Sequence, residues 1–543
     1  MKEIGKVLGT ADAQPLDYWF AVPNDNLVQL DDVVAVERSL RDSRNVSIYG
    51  VVDTVIARHE GAKLDSDVFL AHQGILPLNH AVKAHVMVTR VEPEIFVPPL
   101  PGAAVCKAEG AQRDQALFFD SMKKRFLLGL SRDREVVYGN FEFLDGSRGA
   151  HINISGVSGV ATKTTYACFL LYGIFHSKGL LGAEKANTHA LIFNVKGEDL
   201  LFLDKANVAA TAGVADLYEK RDLPVQPFAS VGLYAPVRRE QEKMIPDTGS
   251  RSDGVLAYCW TIEEFCNERY LRFLFADADD ETSHLSAVID RVENHLARED
   301  VSRFETFDDL RSFIESQLPQ WAGNAATGTQ MSFLRRLEAA TARVGHLIRG
   351  KVEDPDRHRI DWKKRQITVV DIHNLHDRAK RFVIGVMLKR MFEDKEKSGS
   401  ARPLIFVVLD ELNKYAPREG WSPIKDVILD MAERGRSLGV ILIGAQQTAS
   451  QIERRVVANS SFRVVGRLDT AEAQHGEYGF LPASTRVRSG ILKPGTMIVS
   501  QPEIPIPLLV QFPFPAWATR PSEATATFGA GEVVDNPFAK FDK

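Results

Sequence analysis

The stretch Ile152–Phe175, INISGVSGVATKTTYACFLLYGIF, decides how the rest of this chain is read. An apolar strand carrying Ile152 and Ile154 runs into a turn with Gly156 and Gly159, then Lys163-Thr164, then an apolar helix. That is the layout of a phosphate-binding loop. Backbone N–H groups and a helix N-terminus surround a polyphosphate, the lysine reaches the outer phosphates, and the threonine hydroxyl holds Mg²⁺. On this reading Gly156, Ser158, Gly159, Val160, Ala161, Thr162, Lys163, Thr164 and Thr165 line a nucleotide site. Two departures stand out. Six residues separate Gly156 from Lys163, where the usual pattern has about five, and Thr162 occupies the place of the glycine before the lysine.

Such a loop needs a second acidic element to hold Mg²⁺ and activate water. Leu404–Glu411, LIFVVLDE, supplies one: a buried strand ending in Asp410 as metal anchor and Glu411 as the group that polarises the attacking water. Downstream, Ser422 and Pro423 start a helix as N-cap and first helical residue. Ile424, Val427, Ile428 and Met431 share one face of it. Gly435 is placed to end it as a left-handed C-cap. Arg434 and Arg436 either cap the last carbonyls or reach a nucleotide bound by a neighbouring subunit and neutralise the transferring phosphoryl group. The next strand, Gly439–Gly444, leads to Gln446, which either orients the attacking water or is an ordinary loop residue.

The remaining chain frames these motifs. Its 543 residues allow three or four domain-sized units, and 44% hydrophobic with 26% charged residues describe an ordinary globular composition. A net charge of −5 gives no global basic signature, so any nucleic-acid contact must come from a local patch or a ring. The four cysteines (Cys106, Cys168, Cys259, Cys266) form no CxxC pair, and the expectation is buried thiols in a cytoplasmic protein. Neither a signal peptide nor a bilayer-length apolar run is visible.

Residues 1–102 read as a small β-barrel, with the proline-rich Phe96–Gly102 as its boundary. From 103 strands and helices alternate, as in a parallel α/β sheet. Candidate core strands are His151–Ile154, Ala190–Val195, Ile367–Asp371, Leu404–Leu409 and Val440–Ile443. The core is expected in two parts, 103–254 and 361–543, the second ending in a C-terminal tail and the two separated by a helical insertion over 255–360. The insertion is electrically split. Residues 261–320 hold six Arg against fifteen Asp and Glu, whereas 333–365 hold ten Lys and Arg against five acids. The acidic part reads as a solvated face. Arg335, Arg336, Arg343, Arg349 and Lys351 either keep a helix soluble or line a path for nucleic-acid phosphates. Lys196, in the loop Asn194–Asp199, touches DNA or a neighbour, or belongs to a solvated turn. His373 and His376 read as structural.

Taken in order, a barrel, the 152–165 loop, NVKGED at 194–199, a helical insertion, VVLDE at 407–411, RGRSLG at 434–439 and AQQ at 445–447 resemble the HerA family of hexameric ATPases. That family lies in the HerA/FtsK branch of the RecA-like P-loop fold, and the likeness is to its bacterial members. The resemblance implies ATP and Mg²⁺ as cofactors, Lys163 and Thr164 on phosphate and metal, and Asp410 and Glu411 as the Walker B pair. It also implies Gln446 as sensor and Arg436, with Arg434 as runner-up, acting across a subunit boundary. It further implies a homo-hexamer passing double-stranded DNA through a central channel as a translocase or helicase, without a membrane anchor. The barrel would dock a partner nuclease or sirtuin-like effector, as in anti-phage systems. A nucleotide-binding ring scaffold that activates an effector, and a conjugation or secretion ATPase, are the alternatives. The family loop is GxxGxGK[ST], against GVSGVATKT here, and Asn194 stands where an acidic residue often ends the second strand. Because β-carbons at Val160–Thr162 crowd a turn where glycine is cheap, the expectation is retained ATP binding with slow, or DNA- or partner-dependent, hydrolysis.

Overall fold

A computed structural model describes residues 2–62, 64–76, 79–157, 163–210, 217–219, 222–239, 243–251, 253–275 and 284–524. The chain divides into two compact units, Met1–Phe141 with Arg467–Gln511, and Glu142–Gly466 with Phe512–Lys543.

In the first unit, short alternating strands close into a barrel. Its members are β1 (Glu3–Val7), β2 (Asp17–Val22), β3 (Val33–Ser39), β4 (Asn45–Glu60), β5 (Asn79–Glu92) and β6 (Ala104–Lys107), in the order β1-β2-β5-β4-β3-β6. Every second residue of β2 is buried, so Tyr18, Phe20 and Val22 point inward to meet Val34, Val36, Ile48, Val86 and Val105. β6 lies beyond the proline-rich segment that the sequence suggested as a boundary. It pairs with both β1 and β3, and without it the barrel would keep two open edges. The same unit holds an antiparallel set, β19 (Thr496–Gln501), β20 (Ile504–Gln511), β7 (Arg125–Leu130) and β8 (Val136–Asn140), in that order.

The second unit is built on parallel strands. These are β9 (Ile152–Ser155), β10 (His189–Asn194), β11 (Val231–Pro236), β12 (Val255–Tyr258), β15 (Ile367–Asp371), β16 (Ile405–Asp410), β17 (Val440–Gln446) and β18 (Phe462–Val465). Their order is β12-β11-β15-β10-β16-β17-β9-β18, and every pairing described among them is parallel. Every residue of β10, β16 and β17 is buried, which is why these runs are apolar on both faces. The five expected strands are all present. β11, β12 and β18 are additional. The fold is thus an α/β core on parallel strands with an N-terminal β-barrel, as the sequence suggested.

The insertion expected over 255–360 opens with strand rather than helix: β12 joins the core sheet, and β13 (Trp260–Thr261) pairs in parallel with β14 (Ile348–Arg349). A four-residue apolar run beside a helical segment is too short for periodicity to separate strand from helix. Between β13 and β14 stand amphipathic helices His284–Leu296, Phe307–Trp321 and Thr327–Val344. Leu310, Ile314, Leu318 and Phe333, Leu337, Ala340, Val344 bury one face of the latter two, leaving the acidic residues of Phe307–Trp321 largely outside. Arg349 is half-buried and donates to the carbonyls of His346 and Arg238, and Lys351 pairs with Glu305. The helix after Ser422 runs Pro423–Leu438, with the Ser422 side chain accepting from Lys425 N at 3.2 Å. Its C-cap is Gly439 (φ 69°), not Gly435 as the sequence suggested. Gly435 lies inside the helix, where a β-carbon would sit 2.6 Å from the Val440 carbonyl oxygen, so its small size serves packing.

Candidate nucleotide-binding site

The order β10-β16-β17-β9 brings four carboxyl-terminal strand ends side by side, where ligands of open α/β sheets gather. Each end carries a polar residue, Asn194, Asp410, Gln446 and Ser155, of which the first three belong to the sequence motifs. From the end of β9 the chain passes Gly156 and enters the helix Lys163–His176. That helix is buried nearly all round, its Tyr166 and Phe169 packing on Phe512 (ring centroids 5.2 and 5.9 Å) and its Tyr172 on Trp517 (5.1 Å). Ser158, Gly159, Val160, Ala161 and Thr162, expected as loop contacts, lie outside the described residues.

Lys163 is only 5% exposed, and its ammonium donates to the Gly156 carbonyl at 2.7 Å. Burial pushes the ammonium down to about 8. Asp410 opposes that shift, Lys196 adds to it, and Glu411 opposes it. The Lys163 cation thus has a neutral carbonyl as its partner and keeps donor capacity for an anionic oxygen. Thr164 donates its hydroxyl to Asp410 Oδ2 at 3.2 Å, so the two residues expected to share a metal meet. Thr165 follows on the helix, partly buried. Asp410 Oδ1 accepts from the Glu411 backbone N–H at 2.8 Å.

Glu411 has a left-handed backbone (φ 55°, ψ 38°), uncommon for a residue with a β-carbon. Its carboxylate is bracketed by two ammonium groups, Lys196 Nζ at 3.0 Å on Oε1 and Lys414 Nζ at 2.7 Å on Oε2. Desolvation, the largest influence, would raise its pKa, but the two lysines together carry it below the ordinary value. Lys196 also lies 3.9 Å from Asp410 Oδ2. No motif of the sequence puts Lys196 in this site. The only signal was its position in a loop following a core strand.

Gln446 is fully buried. Its side-chain amide donates to Asn153 Oδ1 at 2.7 Å and Ser155 Oγ at 3.0 Å, and its carbonyl accepts from Gly156 N at 3.1 Å. Gln446 Oε1 and Asn153 Nδ2 are buried without a hydrogen-bond partner. Gln446 thus braces the strand that launches the loop. Asn153 and Ser155 were invisible to motif reading. On the other side, Asn194 donates to Asp371 Oδ1 at 2.8 Å and to the Gly197 carbonyl at 2.7 Å. His373 Nδ1 lies 2.9 Å from the Asp371 carboxylate, and the His376 side chain caps the helix Asp377–Ser398.

Arg434 and Arg436 are not brought to this site. They lie near the end of the helix preceding β17, at the opposite edge of the sheet from the strand ends. Arg436 donates to the carbonyls of Gly146 (3.1 Å) and Ser147 (2.8 Å). Arg434 pairs with Glu396 and lies 4.0 Å from Asp430. Among the described residues no group of His, Cys, Asp and Glu forms a further metal cluster, and no helix is long and apolar enough to cross a membrane.

No family model and no curated protein matches the chain. Among solved structures, VirB4 of Thermoanaerobacter pseudethanolicus is similar at 14% identity and a TM-score of 0.44, over 72% of this chain and 96% of that one. The bacterial conjugative coupling protein TrwBdeltaN70, in its trigonal form with sulphate, gives 12%, 0.48, and 75% and 92%. The plasmid coupling protein TrwB in complex with ADP and Mg²⁺ gives 12%, 0.42, and 73% and 96%. At identities of 12–14% and TM-scores of 0.42–0.48, no residue role follows from them.

Proposed function

We propose that this chain binds ATP with Mg²⁺ and hydrolyses it, as one subunit of a homo-hexameric ring that moves double-stranded DNA for a partner effector. The observation that supports it is the convergence of Lys163, Thr164, Asp410 and Glu411 past the ends of β9 and β16, with Gln446 at the end of the intervening β17. The donor set suits the group. The buried Lys163 ammonium would meet the outer phosphates, and the Thr164 hydroxyl and Asp410 carboxylate, 3.2 Å apart, would hold the metal. Bound Mg²⁺ would supply charge neutralisation on the phosphate oxygens. Glu411 accepts the proton of the attacking water, and Gln446 fixes the strand from which the loop springs. Arg436, at the opposite end of the parallel strands from Asp410 and Glu411, acts on a neighbour's nucleotide. The barrel docks an effector of nuclease or sirtuin type, in defence against phage.

The test is ATP turnover with and without duplex DNA. Lys163→Ala and Glu411→Gln abolish DNA-stimulated hydrolysis; unchanged turnover in both overturns the reading. A second reading, a nucleotide-bound scaffold with little motor activity, is favoured by the double lysine pairing of Glu411, which occupies the base. Under that reading Glu411→Gln still activates the effector when ATP is bound.

A further inference from the structure

Glu411 is held more tightly than a general base needs. Its carboxylate meets one ammonium at each oxygen, Lys196 at 3.0 Å and Lys414 at 2.7 Å. A carboxylate whose two oxygens each bind a cation is a poor proton acceptor, because protonation must displace a charge-assisted hydrogen bond. The two lysines come from different places, Lys196 from the loop after β10 and Lys414 from the short helix Leu412–Tyr415 that follows Glu411. Their side chains are 43% and 46% exposed, whereas Lys163 is 5% exposed. A polyanion arriving from solvent therefore competes for the first two and not for the third.

We propose that Lys196 and Lys414 form an inhibitory clamp on Glu411, opened when the backbone phosphates of nucleic acid draw the two ammonium groups away. The clamp rests on the nucleotide-site reading above and adds to it how that site is regulated. With the clamp closed, nucleotide binds and the carboxylate is occupied. With it open, the carboxylate is free to take the proton of the attacking water. Lys196 also faces Asp410 at 3.9 Å, so the same loop senses both carboxylates of the site. Both lysines are positioning residues, acting through Glu411.

The experiment measures steady-state ATP turnover of the full chain with and without linear duplex DNA. It compares wild type, Lys196→Ala, Lys414→Ala and Lys196→Arg, with binding of a slowly hydrolysed ATP analogue as the check on folding and occupancy. The DNA-free kcat of each alanine variant rises about tenfold, the effect of removing one hydrogen bond to a charged group. KM stays unchanged, and the DNA stimulation shrinks by the same factor. Lys196→Arg, which keeps the charge, behaves as wild type. A DNA-free kcat that is unchanged or lower in both alanine variants, with analogue binding intact, overturns the clamp and leaves the nucleotide site standing. A wild type that binds no analogue overturns the nucleotide site, and the clamp with it.

Discussion

At Glu411 backbone and side chain are constrained separately: the left-handed dihedrals fix where the carboxylate starts, and Lys196 and Lys414 fix where it ends. Strain of this kind costs of order 1–3 kcal/mol and persists where surroundings over-determine it. Glu411→Gln keeps the shape while removing the proton acceptor, so kcat falls by about 10²–10⁴-fold with nucleotide affinity retained, measured by turnover alongside analogue binding. A second charged residue offers a test away from this site. His85, in the barrel, lies 2.6 Å from Asp53 on Nδ1 and 3.2 Å from Asp17 on Nε2, beside Trp19, over which Lys83 sits. The Asp53 hydrogen bond raises its pKa above the ordinary value against opposing desolvation. A histidine raised in the folded state contributes stability that is full below its unfolded pKa of about 6.5 and lost as pH rises through the folded value. Melting temperature of the barrel unit therefore falls across that window in wild type, and His85→Gln flattens the fall.

At the scale of elements, reading the sequence worked where a strand ended in chemistry. β9, β10, β16 and β17 were legible because each is a short apolar run leading into Gly156, NVKGED, Asp410-Glu411 or Gln446. β11, β12 and β18 carry no such punctuation and went unread. The helix Pro423–Leu438 shows the same limit. Its start was written in Ser422-Pro423, but the first glycine near its end was mistaken for the stop. The two glycines differ in what they do, which spacing does not encode. Gly439 takes φ 69°, and a β-carbon there would collide with the Ala401 carbonyl oxygen. Gly439→Ala therefore destabilises the core unit by about 1–3 kcal/mol, read from denaturant midpoints. Within the site, Lys163, Thr164 and Asp410 were legible from motif. Lys196, Asn153 and Ser155 were not, because their roles depend on which strands are neighbours, and the order β10-β16-β17-β9 is a property of topology.

At the scale of the whole molecule, one chain holds a buried cation, a hydroxyl–carboxylate pair and a doubly paired glutamate at the carboxyl ends of its parallel strands. Arg434 and Arg436 lie toward the opposite, amino-terminal ends of those strands. That separation is what a ring needs if arginine is to serve the next subunit's nucleotide. Mixing Arg436→Ala with Glu411→Gln subunits then restores turnover at a fraction of sites, because some interfaces combine an intact glutamate with an intact arginine; mixtures as inactive as either parent, with assembly intact, contradict the trans role. The central claim is that Lys163, Thr164, Asp410 and Glu411 make one Mg²⁺-dependent nucleotide site. Its most direct test is calorimetric titration of a slowly hydrolysed ATP analogue into wild type, Lys163→Ala and Glu411→Gln, with Mg²⁺ and with EDTA. Binding is expected to depend on Mg²⁺ in wild type and Glu411→Gln and to be lost in Lys163→Ala, whereas equal affinity in all three proteins, or binding indifferent to Mg²⁺, would contradict a shared site.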